Sequence, residues 1–169
     1  MSQVTTNTQN RSSAENSTNR AGKYLTFRLA AEEYGLRILK VREIIGLMPI
    51  TRMPEAPSHV RGIINLRGRV IPVLELRARF GMEPIPDSDE TCIIVVDLSS
   101  GTPSTLMGIL VDAVSEVLDI KADEIQDPPS MGGEHECEFV LGIGKVKGGV
   151  KILLDIDKVL ETNCTGMRG

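Results

Sequence analysis

The chain has 169 residues, of which 41% are hydrophobic, 25% charged and only 3% aromatic, with no Trp. That length leaves room for one domain or two very small ones and excludes a multidomain enzyme, and the core must come from Ile, Val and Leu, whose β-branched part favours strands. A formal net charge of −4 gives no long-range attraction to polyanions and excludes a globally basic nucleic-acid or anionic-membrane binder.

Residues 1–22 are mostly Ser, Thr, Asn and Gln with almost nothing to bury, so they read as a disordered polar tail. From Tyr24 onward, short apolar or alternating runs are separated by Gly, Pro and Asp clusters, the signature of an all-β chain. The predicted strands are YLTFRLA, VIPVLEL, TCIIVVDL, TLMGILV and VKILLDI. Helix is confined to brief pieces at Pro57 to Val60, Leu76 to Phe80, Asp112 to Val117 and Ile156 to Leu160. The stretch from Asp97 to Ser104 is dense in turn formers and reads as a hairpin loop. No apolar run is long enough to span a bilayer and no signal sequence opens the chain. The three cysteines, Cys92, Cys137 and Cys164, fit neither a disulfide framework nor paired metal-ligand spacing, so a reducing compartment is expected.

The chain also repeats itself. Gly35-Leu36-x-Ile38-x-x-Val41-x-Glu43-Ile44 returns as Gly108-Ile109-x-Val111-x-x-Val114-x-Glu116-Val117 with identical spacing. Gly62-Ile63-x-x-Leu66-Arg67-Gly68-x-Val70-x-x-Val73-Leu74-Glu75-Leu76 returns as Gly142-Ile143-x-x-Val146-Lys147-Gly148-x-Val150-x-x-Leu153-Leu154-Asp155-Ile156. Two similar units follow, roughly 24–82 and 91–160, each too small to be comfortable alone, so a shared hydrophobic interface is expected between them. The matched glycines mark backbone needs. Copy one differs in carrying Asn65 and Arg67, and in gathering Arg61, Arg67, Arg69, Arg77 and Arg79 around Glu75, which reads as a basic patch suited to an acidic protein partner.

Catalytic chemistry is thinly supplied. His59 and His135 lie in loop contexts without an evident partner, and His135 with Cys137 falls short of the four ligands of a structural zinc site. Gly142-Ile143-Gly144-Lys145 lacks the following Ser or Thr and the helix that a phosphate loop needs. Asp155 and Asp157 flank a strand end and read as a solvated turn.

At GIINLRGRVIPVLELRARFG, with EEYGLRILKVREIIG before it and MGILVDAVSEVLDI after it, the chain resembles the CheW family of bacterial chemotaxis coupling proteins. The resemblance spans Tyr24 to Leu160. It implies a mainly all-β domain over 23–162, built of two pseudo-repeated SH3-like five-stranded β-barrels with a few short helices, and a short C-terminal tail at 163–169. It further implies no catalysis and no cofactor, but an adaptor that couples the cytoplasmic tip of methyl-accepting chemoreceptors to the regulatory domain of a CheA-type histidine kinase, cytoplasmic and recruited to membrane receptor clusters. On the matching positions, Arg67 and Glu43 form the sensitive charged pair facing the receptor, together with Asn65 of the same NLRG block. Val41, Gly108, Val114 and Val117 lie near the receptor groove, and Gly62 lies toward the kinase. A small-barrel nucleic-acid binder or another protein-interaction module is the alternative.

Overall fold

The strands of the first repeat do not stay together. The computed structural model describes residues 20–98, 105–129, 139–146 and 149–160. Its strands are β1 (Gly22–Leu29), β2 (Glu32–Arg37), β3 (Val41–Gly46), β4 (Val60–Leu66), β5 (Arg69–Glu75), β6 (Cys92–Asp97), β7 (Leu106–Val111), β8 (Ala113–Ile120), β9 (Ile125–Gln126), β10 (Val140–Val146) and β11 (Gly149–Leu154). Two one-turn helices, α1 (Leu76–Arg79) and α2 (Ile156–Val159), follow β5 and β11, and a 3₁₀ turn, Ile38–Lys40, joins β2 to β3. The protein is thus mainly β, in two sheets of the SH3-like type. One is five-stranded, ordered β3-β6-β7-β5-β4, and the other is six-stranded, ordered β8-β1-β2-β11-β10-β9.

These orders correct the expectation of two contiguous units at 24–82 and 91–160. The β1–β2 hairpin pairs with β8 and, in parallel, with β11, where Leu154 meets Leu36. The equivalent β6–β7 hairpin pairs with β3 and, in parallel, with β5, where Leu74 meets Ile109. Each repeat therefore lends its first hairpin to the other's sheet. The match extends to small details: Thr51 bridges Ile63 as Gln126 of β9 pairs Ile143. The register shifts between Val60 and Gly62 also recur between Val140 and Gly142.

Strand alternation sorts the aliphatics into three cores. On β6, Ile93 and Val95 point into the five-stranded barrel with Ile64, Ile71, Val73 and Leu110. Ile94 and Val96 point the other way, into a larger core between the sheets that also takes Phe27, Leu36, Ile109 and Val159. Tyr24, Ile120, Ile125 and Leu153 fill the six-stranded side. The shared interface expected from the repeat is this middle core. Four of the five aromatics run through it as a chain, Phe27, Tyr34, Phe80 and Phe139, with ring centroids 5.2 to 5.9 Å apart. Thr26, fully buried, is satisfied at the β1–β8 bulge: its hydroxyl donates to Glu116 O at 2.8 Å and accepts from Glu116 N at 3.1 Å.

Several expectations need adjustment. The span Asp112 to Val117, read as a brief helix, belongs mostly to β8, because the β1 edge offers its backbone a ladder of partners. Pro57 to Val60 is a turn entering β4. The polar tail ends earlier than residue 22. Arg20, 16% exposed, pairs with Asp127 at 2.8 Å and accepts the Tyr24 hydroxyl on its carbonyl. The rest of that tail, His135, Cys137, Cys164, Lys147 and residues 163–169 lie outside the described residues.

Candidate functional site

The β4–β5 hairpin turns on Arg67 and Gly68, with Leu66 opposite Arg69. Both turn residues have positive φ, +53° and +87°. This is the signature of a type I′ turn, whose twist matches its strands and whose first position usually takes Asn, Asp or Gly. Asn65 Oδ1 accepts from the Gly68 N–H at 2.8 Å and steadies the loop. An arginine in the left-handed region costs about 1 kcal/mol or more relative to glycine, so something other than backbone preference keeps it there.

Its side chain reaches Glu43 on β3. Arg67 donates through Nη2 to both carboxylate oxygens, at 2.6 and 2.7 Å, and through Nη1 at 3.2 Å. Strand β3 and the β4–β5 hairpin lie at opposite ends of the five-stranded order, so this ion pair spans the gap where the curled sheet returns on itself. Arg67 is 64% exposed and Glu43 30%, and an exposed pair contributes only about 0–1 kcal/mol. A strained position with so small a return in stability holds a planar, doubly hydrogen-bonded charge pair at the surface.

Apolar groups flank it. Edge strands β3 and β8, repeat equivalents, border the middle core, and Val41 and Val114 are partly buried against it from the two sides. Ile44 and Val117, also equivalents, are 44% and 48% exposed. Val70, paired with Asn65, is 62% exposed. Ile44 and Val70 were not among the sequence candidates, although the repeat aligns Ile44 with Val117. Gly108, by contrast, is buried in β7, where an added Cβ would press on Ile93 and Val73. Its close packing there shapes the sheet.

Gly62 has a backbone role too. With φ at +153° and a position where a Cβ would overlap the Thr51 carbonyl, it lets the Ile50–Thr51 segment lie against the β4 bulge. Gly62→Val is expected to destabilise the fold by at least ~2 kcal/mol, read as a lower urea midpoint.

The expected basic patch is dispersed. Arg61 pairs with Asp87 at 2.7 Å and Glu75 at 3.5 Å, Arg67 with Glu43, and Arg77 with Asp112 at 2.9 Å. Arg79 donates to Val159 O at 2.9 Å, and Arg69 is engaged as well. The barrel's curl and the α1 turn send Arg61, Arg67 and Arg77 to separate carboxylates, which linear spacing does not show.

His59 sits in the turn before β4, its carbonyl accepting Glu75 N–H at 2.8 Å. Burial, then the Arg79 charge, hold its imidazole below the usual range. Burial pushes the Cys92 thiol up, away from the thiolate form that nucleophilic chemistry needs. Among the described residues no cluster of three His, Cys, Asp or Glu is arranged to hold a metal, and no helix is long and apolar enough to cross a membrane.

Comparison with known proteins bears on what such a surface is for. Residues 23–164 match the model of the CheW-like domain. The chain is 36% identical over 149 residues to a chemotaxis protein CheW of Rhizobium meliloti, covering 88% of this chain and 94% of that one. It is 35% identical over 140 residues to the CheW protein of Klebsiella aerogenes, covering 83% and 82%. Among solved structures it resembles the scaffolding protein TtCheW of Thermoanaerobacter tengcongensis, with a TM-score of 0.75 and 37% identity over 85% of this chain and 95% of the other. A fold of two interleaved repeats, the Asn65–Arg67 hairpin turned toward Glu43, and these matches over most of the length lead to one assignment: the chain belongs to the CheW-like family.

Proposed function

We propose that this chain is a chemotaxis coupling adaptor that links chemoreceptors to a CheA-type histidine kinase without itself making or breaking a bond. The relatives it matches over most of their length are named chemotaxis proteins, and the solved relative is named a scaffolding protein. The observation that carries the reading furthest is Arg67, kept in a left-handed turn position to pair bidentately with Glu43 at the surface. In this reading the receptor's helical tip lies along β3 and β8, contacting Val41, Ile44, Val114 and Val117, while the Arg67–Glu43 pair and Asn65 read its polar side. The kinase regulatory domain docks elsewhere on the barrels, and recruitment by these partners brings the protein to the membrane. A nucleic-acid role is disfavoured, because Arg61, Arg67 and Arg77 are committed to carboxylates of the chain itself.

Arg67→Asn tests this directly. Asparagine suits the turn, so the thermal midpoint should hold or rise, by up to about 1 kcal/mol in stability. Kinase activation in reconstituted receptor arrays should fall at least tenfold, and Arg67→Glu, which sets a like charge beside Glu43, should do no better. Full activation by Arg67→Asn would remove the pair from the coupling surface.

A further inference from the structure

The repeat makes two equivalent notches, and among the described residues only one is covered. Each lies beside a short helix: Glu75 and Arg77 border the first, Asp155 and Asp157 the second, and Leu110 of the first is replaced by Arg37 in the second. In the first, the chain leaving α1 folds back so that Ile85, Pro86 and Asp87 line the notch and leave only about 10 Å³. That segment is fastened by Arg61 to the Asp87 carboxylate at 2.7 Å, and by Arg77 Nη1 donating to Glu83 O at 2.6 Å. The second notch stays open, at about 180 Å³, over Leu141, Leu154 and Ile156.

We propose that the open notch beside α2 binds an extended peptide segment of a partner protein that carries an aliphatic residue and a nearby carboxylate. Its volume is below the roughly 300 Å³ from which small-molecule and cofactor sites start, but suits one or two residues of a chain. Three aliphatic side chains form the floor. On the rim, Lys40 and Asp157 neutralise each other at 2.8 Å, which leaves Arg37 and Asp155 as the groups that face an occupant. Arg37 forms no ion pair among the described residues, and its planar fork suits a carboxylate. Asp155 accepts from Lys158 N at 3.4 Å through one oxygen, and its other oxygen can receive a peptide N–H. In the covered notch the cation that holds the carboxylate is Arg61; Leu141 takes that place in the second copy and Arg37 supplies the charge from the opposite wall. The cation that closes the first notch is thus supplied again in the second by Arg37, which no carboxylate of the described residues pairs.

The probe is a synthetic peptide of residues 83–90, EPIPDSDE, titrated into the intact ¹⁵N-labelled protein. Saturable amide shifts at Leu141, Leu154 and Ile156 are expected, with a Kd of about 0.1–1 mM. Binding should weaken at least tenfold in Arg37→Glu, or when the peptide carries Asp87→Lys. No saturable shift at those three residues, or equal binding to Arg37→Glu, overturns the proposal. So does binding that appears only in a chain ended after Leu160, which would give the notch to residues 161–169. Neither kinase nor receptor takes part, so failure here leaves the coupling function untouched.

Discussion

Produced as separate chains, residues 20–90 and 91–169 are each expected to lack a cooperative unfolding transition, and mixing them is expected to restore it. The reason is the reciprocal loan of hairpins. In the first fragment β1 and β2 have lost β8 and β11, to which they hydrogen-bond over most of their length, and β3 has lost β6. The middle core loses one wall, since Phe27, Tyr34 and Leu36 come from one fragment and Ile94, Val96, Ile109 and Val159 from the other. A fragment near 70 residues already buries too little surface for comfort, and here its strands also end in open edges. Circular dichroism, amide dispersion and size-exclusion chromatography of each half, alone and mixed, check this. A half that folds alone as a monomer would show that the exchange is a detail of connectivity and not the basis of stability.

The sequence made the β class, the duplication and the positions of both one-turn helices legible, because each is local. The short aliphatic runs in TCIIVVDL and VKILLDI, bounded by turn formers, need only a few consecutive residues to be read, and Leu76 and Ile156 sit at matched ends of matched strands. Which strand pairs with which was not legible. A repeat announces similar units, but the same two hairpins satisfy their ladders equally well within a unit or between units, and local patterning does not show that the chain crosses between sheets at Ile38–Lys40 and at Asp112. Nor did β8 declare itself: Val114 and Val117 stand at helical spacing, and only the β1 edge makes that stretch extended.

The site divides the same way. Asn65, Arg67 and Gly68 lie three residues apart at most, and the repeat singles out Asn65 and Arg67 as specific to copy one, but the turn they form shows only in the structure. The partnership of Arg67 with Glu43 came from the family resemblance and not from spacing, since it depends on the barrel's closure. Charge clustering along the chain misled, because Arg61, Arg67 and Arg77 leave the backbone toward different carboxylates. Ile44 was hidden by being one more isoleucine in a β-rich stretch; only its exposure, 44%, separates it from the core.

Replacing Arg77 with methionine should be the most costly single change outside the apolar core. Arg77 leaves α1 to bind Asp112, between β7 and β8, through Nε and Nη2 at 2.9 Å each. Asp112 in turn accepts the Ala30 N–H of the β1–β2 turn at 2.8 Å, so one carboxylate ties a helix to the turn of one exchanged hairpin and to the β7–β8 junction that ends the other. The side chains are 11% and 14% exposed. Removing one partner of such a pair leaves an uncompensated charge and costs about 3–5 kcal/mol, or a fall in melting temperature of roughly 10 °C for a chain of this size. Acidity supplies a second signature. Burial pushes the Asp112 carboxyl up, but the Arg77 and Ala30 hydrogen bonds and the charges of Arg77 and Arg28 outweigh it and hold the group below its ordinary value. A depressed carboxyl stabilises the fold above its unfolded pKa, about 3.9, and loses that contribution as pH falls through the folded value. In Arg77→Met only the Ala30 hydrogen bond and the Arg28 charge still oppose burial, so the carboxyl rises from its depressed value and its contribution to stability shrinks. The stability gap between parent and variant should therefore be widest near pH 7 and narrow as the pH falls through the carboxylate range. Adding Asp112→Leu should recover most of the loss, because an apolar pair leaves no buried charge. A gap below 1 kcal/mol at pH 7, or one that does not change with pH, would show that the clamp is solvated and that the hairpin exchange is held by packing alone.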